Sequence, residues 1–298
     1  NAVLLAFPKN LRAQQGIANI NKAKKNNIKQ NISQTTINRL INLYNQGHLS
    51  VVVEQAQTLT KKYPQALTIW NILGASAVQL KKFDEAVVAY NKCINLKPDF
   101  VDAYINKGVA LKEQGKLDEA IDAYKKSISL NPNYALSYSN MGNVYKDQGN
   151  LKEAIRAYKK ALSLNPDYAD AHINMGNAYK DQGNLERAIK AYNKAILLKP
   201  DYAIAYNYKG KSLHEQGKLE EAIKSYNKCI SLNPGNINVF INLGNVLQDL
   251  GKLEEAMNAY KMALSLNPDY AIAHNNIGKV FQEQGNLDDA IIAYKKSI

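Results

Sequence analysis

The chain has 298 residues, and its 38 lysines and arginines outnumber 26 aspartates and glutamates, which gives a formal net charge of +12 at pH 7. A content of 46% hydrophobic and 21% charged residues is typical of folded proteins and argues against a disordered chain. The sequence has no run of about 18 apolar residues, so no transmembrane helix is predicted. Two cysteines exclude a disulfide framework. We therefore expect a folded cytoplasmic protein without a membrane partner.

Residues 1–32 are predicted to form a degenerate helical segment followed by a basic polar linker. The segment AVLLAFP is typical of the end of a helix that stops at Pro8. The centre of the positive charge is a run of four lysines, Lys22, Lys24, Lys25 and Lys29. No aromatic residue lies among them for a nucleic-acid base to stack on. We therefore interpret this run as a solvated linker rather than an RNA site.

From residue 33 onward the sequence repeats with a period of 34 residues. A proline, a glycine, an alanine and a tyrosine each recur at this spacing. The prolines are Pro64, Pro98, Pro132, Pro166, Pro200, Pro234 and Pro268. With residue 67 as position 1, the full units are 67–100, 101–134, 135–168, 169–202, 203–236 and 237–270. A weaker unit fits 33–66, and 271–298 is a truncated unit.

Each unit is predicted to be a helical hairpin. Apolar residues recur three or four apart on both sides of a turn, which is Gln114-Gly115 in the unit 101–134. The glycine at position 8 and the alanine at position 20 are predicted to let two helix backbones approach closely. Aromatic side chains at positions 4 and 24 are expected to fill the space between hairpins. The proline at position 32 ends the second helix, so we predict an all-α protein.

These residues resemble the tetratricopeptide repeat family. Trp70 at position 4, Leu73-Gly74, Ala86, Tyr90 and Pro98 fall on the family's pattern, and the resemblance covers roughly residues 33–298. It implies a right-handed superhelical solenoid in which the first helices of the hairpins line a concave groove.

No catalytic, cofactor or metal site is predicted in this chain. The four histidines, which do not have the spacing of metal ligands, are His48, His172, His214 and His274. His172 and His274 stand at position 4, where other units have Trp or Tyr, and are interpreted as packed rings. Cys93 and Cys229 stand at position 27, where other units have Ser or Ala, and are interpreted as small packing residues. The chain itself is therefore predicted not to be an enzyme.

The candidate binding residues form a row of asparagines on the first helices. Position 6 holds Asn106, Asn140, Asn174, Tyr208, Asn242 and Asn276, and position 9 adds Asn143, Asn177 and Asn245. An asparagine amide offers a donor and an acceptor, as a peptide unit does. The resemblance places both positions in the groove and so implies binding of extended polypeptide. The other interpretation is that the asparagines only keep the groove polar; Tyr208 interrupts the row.

A protein or peptide partner is favoured over nucleic acid. Position 13 carries an acidic row, from Glu113 to Glu283, that would repel a polyanion, although Lys112, Lys146 and Lys180 at position 12 partly offset it. The carboxylate clamp of the family's chaperone-tail binders is not matched, since no lysine stands at position 5. An RNA-binding helical repeat is the less favoured alternative.

The asparagine row is also similar to that of the superhelix of O-linked N-acetylglucosamine transferases. We therefore expect the chain to be the partner-recruiting or substrate-recruiting N-terminal region of a larger bacterial transferase. A freestanding scaffold with no attached enzyme is the alternative. Since the last unit stops at position 28, we also expect a further segment after Ile298, or self-association through the apolar edge of that unit.

Overall fold

The computed structural model describes residues 32–298, and this range contains sixteen α-helices and no β-strand. The predicted all-α class is therefore confirmed. The helical segment and linker predicted at residues 1–32 lie, apart from Ile32, outside the described residues. The chain divides into two compact units, Asn1–Gly149 and Asn150–Ile298, and the boundary falls between the two helices of the repeat 135–168. A single continuous solenoid over 33–298 stays a prediction.

The first unit contains three complete hairpins and the first helix of a fourth. Its first helices are α1 (Gln34–Asn45), α3 (Leu67–Gln79), α5 (Val101–Glu113) and α7 (Ala135–Asp147). Its second helices are α2 (Leu49–Lys62), α4 (Phe83–Leu96) and α6 (Leu117–Leu130). Each helix packs on the one before it and on the one after it, so the hairpins are stacked in chain order.

The second unit begins with a second helix and continues with four hairpins. Its second helices are α8 (Leu151–Leu164), α10 (Leu185–Leu198), α12 (Leu219–Leu232), α14 (Leu253–Leu266) and α16 (Leu287–Lys296). Its first helices are α9 (Ala169–Asp181), α11 (Ala203–Glu215), α13 (Ile237–Asp249) and α15 (Ala271–Glu283). Neighbouring first helices also contact one another in this unit: α9 contacts α11, and α11 contacts α13.

The turn between the two helices of a hairpin depends on a left-handed residue at position 15. Glycine provides it in seven repeat units, with φ between +75° and +81°, as at Gly47, Gly115 and Gly285. Lys81 stands at the same position in the unit 67–100 with φ 59°, and it is the one non-glycine residue with positive φ in the described part of the chain. A side chain in this conformation is strained, since Cβ crowds the following carbonyl oxygen.

The glycine at position 8 makes room for the tyrosine at position 24 of the same hairpin. A Cβ atom at Gly74 would lie 2.8 Å from ring atoms of Tyr90, and one at Gly108 would lie 2.7 Å from those of Tyr124. Both rings are fully buried. The nearest neighbour of the missing side chain is therefore an aromatic ring, and the predicted close approach of the two helix backbones stays a prediction.

The side chain at position 4 joins consecutive hairpins through the proline carbonyl at position 32 of the preceding unit. Trp70 Nε1 donates to Pro64 O at 2.9 Å, and the hydroxyls of Tyr104 and Tyr206 donate in the same way. His172 Nε2 lies 3.1 Å from Pro166 O and His274 Nε2 lies 2.8 Å from Pro268 O. The two histidines therefore take over a structural hydrogen bond of the sister aromatic residues.

Candidate functional site

The first helices within each of the two compact units share one surface, which we call the first-helix face. It consists of positions 2, 5, 6, 9, 12 and 13 of the first helices, and positions 2, 6, 9 and 13 lie on one side of a helix because they are three or four residues apart. Side chains of neighbouring first helices meet on this face. In the second unit Asn242 Nδ2 donates to Asn207 Oδ1 at 3.2 Å, and Asn276 Nδ2 donates to Asn245 Oδ1 at 3.0 Å.

Two of the asparagines at position 9 are hydrogen-bonded to the interior of their own hairpins. Asn177 Oδ1 accepts a hydrogen bond from the Tyr192 hydroxyl at 2.8 Å, and Asn245 Oδ1 accepts one from the Tyr260 hydroxyl at 2.8 Å. Burial raises the pKa of both tyrosines and keeps the hydroxyls protonated as donors. Each of these two asparagines thus satisfies a buried hydroxyl, a role that the 34-residue spacing does not indicate.

The asparagines at position 6 differ in how much of their amide is free. Asn106 and Asn276 are 6% exposed, whereas Asn140, Asn174 and Asn242 are half-buried. The amides of Asn242 and Asn276 already donate to neighbouring asparagines, as described above. The side chains of Asn140 and Asn174 make no hydrogen bond with any residue between 32 and 298. These two amides keep their full capacity to bind a ligand.

Tyr208 replaces asparagine at position 6 of α11 and is held by an aromatic contact. Its ring stacks on that of Tyr192, with a centroid separation of 5.8 Å and an interplanar angle of 23°. The structure thus brings together Asn177, Tyr192 and Tyr208 at the junction of two hairpins. Asn143, on α7, makes an interaction of its own and is not a free amide.

Lysine ion pairs and one histidine hydrogen bond link position 12 of one repeat unit with position 13 of the next. Lys112 Nζ lies 3.2 Å from Asp147 Oδ2, Lys180 Nζ lies 3.4 Å from Glu215 Oε1, and His214 Nε2 lies 2.6 Å from Asp249 Oδ2. Burial lowers the pKa of Lys112, but the nearby carboxylates of Asp147 and Glu113 together outweigh burial, so the pKa is raised. The acidic row is therefore neutralised in part by direct pairing, and not only by cations in its vicinity. The fixed separation of 35 residues between partners was a signal present in the sequence.

The cysteines and histidines form no reactive cluster in the described part of the chain. Burial raises the pKa of the Cys93 thiol to about 12 and raises that of Cys229, so neither is held as a thiolate. Both lie inside the hairpin packing, as interpreted from the sequence. Between residues 32 and 298, no group of three His, Cys, Asp or Glu side chains is arranged to hold a metal ion. Nor is any helix in this range long and apolar enough to cross a membrane.

The fold and its faces define a tandem array of two-helix repeats whose exposed features are surfaces rather than a pocket of reactive groups. Six overlapping matches to a TPR repeat model cover residues 74–115, 110–149, 142–183, 176–217, 210–251 and 244–285. A second tetratricopeptide repeat model matches residues 39–94. The chain belongs to the tetratricopeptide repeat family.

Several solved structures are similar to this chain. The crystal structure of MamA shares 29% identity over 53% of this chain and 92% of its own, with a TM-score of 0.50. That of YrrB, described as a TPR protein with an unusual peptide-binding site, shares 26% identity over 63% of this chain and 97% of its own, with a TM-score of 0.52. The APC/C hetero-tetramer Cut9–Hcn1 matches in fold alone, at 18% identity and a TM-score of 0.65, over 88% of this chain and 51% of its own. No curated protein sequence matches the chain.

Proposed function

We propose that this protein binds extended polypeptide segments along its first-helix faces and that the asparagine row contacts the backbone of the bound segment. The observation that carries the proposal is the pair of free amides at Asn140 and Asn174. A half-buried amide without a protein partner gains more from a ligand hydrogen bond than a fully solvated one does, because part of its desolvation has already taken place on folding. One of these two amides lies on the first-helix face of each compact unit.

The family and the neighbouring structures support this proposal. Repeat arrays of this kind present extended surfaces that suit segments of a partner chain rather than a compact small molecule. Nearly the whole YrrB chain aligns with repeats of this protein, and its description as a protein with a peptide-binding site supports a peptide ligand here too. Peptide units and asparagine amides have matching donors and acceptors.

The test compares two asparagines that lie one turn apart on α9. Asn174→Ala removes a free amide, so we expect about a fivefold to tenfold loss of affinity for a peptide selected from a phage-displayed random 12-residue library, with an unchanged melting temperature. Asn177→Ala removes the acceptor of the Tyr192 hydroxyl, so we expect mainly a loss of stability. Affinity is measured by isothermal titration calorimetry and stability by circular dichroism. An unchanged affinity in Asn174→Ala would count against the asparagine row as a peptide site.

Two proposals concern the kind of protein in which these repeats occur. The region that recruits partners to a larger transferase is the narrower proposal, and it rests on the asparagine row. A freestanding scaffold is supported by MamA and YrrB, because 92% and 97% of those chains align with this one. Reading the gene beyond Ile298 distinguishes them, since a transferase domain there supports the first and a stop codon within another unit or two supports the second. A fluorescent fusion of the whole gene product tests the proposed cytoplasmic location.

Self-association through α16 is proposed on the exposure of its apolar residues. Leu287 and Ile291 are 62% and 51% exposed, whereas Ile121 and Ile155, which stand at the position of Ile291 in earlier units, are 6% and 7% exposed. A second copy that covers α16 would bury this surface. Light scattering on the chain and on Ile291→Glu tests the proposal, because the substitution would shift a dimer to monomer. A wild-type monomer at 100 μM would contradict it.

A further inference from the structure

Helix α11 differs from its neighbours α9 and α13 at three positions of the first-helix face, where both neighbours have polar residues. The three positions concerned are 2, 6 and 9, which lie four and three residues apart on one side of the helix. On α11 they hold Ile204, Tyr208 and Lys211. On α9 they hold Asp170, Asn174 and Asn177, and on α13 they hold Asn238, Asn242 and Asn245. We call Ile204, Tyr208 and Lys211 the α11 stripe.

The aromatic ring of the α11 stripe is fixed before any ligand binds. Tyr208 stacks on Tyr192, which is fully buried and whose hydroxyl is hydrogen-bonded to Asn177. A ring that is held in one orientation loses little conformational entropy on binding. Ile204, one turn earlier, is 42% exposed and extends the apolar surface beside the ring. The stripe therefore offers a preformed surface for an apolar side chain.

Lys211 supplies a positive charge that the protein does not neutralise by contact. It is half-buried, and it forms no ion pair or hydrogen bond with another residue of the described range 32–298. The neighbouring carboxylates of the face are engaged elsewhere, since Glu215 lies 3.4 Å from Lys180 and Asp249 lies 2.6 Å from His214. A half-buried lysine without a counter-charge favours an anionic group from a ligand.

We propose that the α11 stripe selects peptide segments in which an acidic side chain lies within two residues of an apolar one. The apolar group packs on Ile204 and the ring of Tyr208, and the carboxylate pairs with Lys211. Side chains two residues apart in an extended segment point to the same side and are about 6.6 Å apart, which matches neighbouring positions on a helix face. This inference rests on the proposed function and names the side chains that the groove prefers.

The test uses substitutions by the residues that sister units carry. Phage-displayed random 12-residue peptides are selected on the wild-type protein, on Lys211→Asn and on Tyr208→Asn. The control is Lys224→Asn, which removes the same charge from the exposed side of α12, where the sister residue is Asn258. We expect the wild type and the control to enrich an acidic residue within two positions of an apolar one. Lys211→Asn should lose the acidic preference, and Tyr208→Asn should lose the apolar one.

A double-mutant cycle then measures the contact. One selected peptide and its version with Asn or Gln in place of the acidic residue are titrated into the wild type and into Lys211→Asn. We expect the neutral peptide to bind the wild type about tenfold more weakly and to bind Lys211→Asn with the affinity of the acidic one. Circular dichroism confirms that each variant is folded.

The outcomes separate the two proposals. If peptides are selected without an acidic preference, or if Lys211→Asn retains that preference, the α11 stripe is not an acidic-peptide site, although peptide binding along the face stands. If no peptide is enriched above the unselected library on the wild type, peptide binding fails and the present inference fails with it.

Discussion

The role of the glycine at position 8 can be tested by adding one methyl group at Gly244. A Cβ atom there would lie 2.7 Å from both Cδ1 and Cζ of Tyr260 and closer still to Cε1, whereas carbon atoms in contact are about 3.5–4.0 Å apart. The ring cannot move away freely, because it is fully buried and its hydroxyl is held by Asn245 at 2.8 Å and Gln248 at 3.0 Å. Gly244→Ala therefore forces a shift of packed atoms.

Two opposing terms decide the size of the effect. Alanine is favoured over glycine inside a helix by about 1 kcal/mol, whereas overpacking a buried site costs about 1–3 kcal/mol, with more lost if the tyrosine hydrogen bonds break. We expect a net loss of roughly 1–2 kcal/mol, measured by urea denaturation followed by circular dichroism. The control is Gly235→Ala, because a Cβ at Gly235 meets nothing closer than 3.8 Å. A Gly244→Ala protein as stable as the wild type, or more so, would refute the reasoning.

Three further predictions concern local features of the hairpins. Lys81→Gly should raise the unfolding free energy by about 1 kcal/mol in urea titrations, because it removes a left-handed side chain. Burial raises the pKa of the Cys93 thiol to about 12, from about 9 in the unfolded chain. The thiol therefore stabilises the fold below about pH 9, and this contribution is lost as the pH rises through about 12. Cys93→Ala should reduce that alkaline loss of stability. Burial lowers the pKa of His172. Its contribution to the stability of the fold is therefore present above the ordinary pKa of about 6.5 and is lost as the pH falls through the lowered value. In melting curves at pH 5 and pH 7.5, His172→Tyr should remove that acid sensitivity and keep the bond to Pro166.

The period of the sequence was enough to predict the hairpins, because the signals for helix, turn and helix end are local. Proline at position 32 and glycine at position 15 act through their own backbone geometry, and the helices end where these residues predict. The bond from Tyr192 to Asn177 was not predicted, since it joins two helices through a buried hydroxyl. A buried tyrosine needs a partner for its hydroxyl, and that requirement was the available signal.

The asparagine row shows why a column of identical residues does not imply a single role. Asn174 is free, Asn242 donates to a neighbouring first helix, and Asn177 accepts from the hairpin interior. These differences depend on side-chain rotamers and on the residue next to each asparagine in the adjoining hairpin. Sequence spacing fixes the face on which a residue lies, but it does not fix the partner that the residue finds there.

The hydrogen bond from a buried tyrosine hydroxyl to the asparagine at position 9 implies that the α11 stripe lowers stability. Tyr226 is the buried tyrosine of the hairpin that carries Lys211, and lysine cannot accept a hydrogen bond as asparagine does at this position in sister hairpins. The Tyr226 hydroxyl makes no hydrogen bond with any residue between 32 and 298. Lys211→Asn should therefore add about 1 kcal/mol to the unfolding free energy in urea titrations while it removes the preference for acidic peptides. Tyr226→Phe provides the control, because in that background Lys211→Asn should give no such gain. If Lys211→Asn lowers the unfolding free energy in both backgrounds, Lys211 stabilises the hairpin, and the stability cost argued here is wrong.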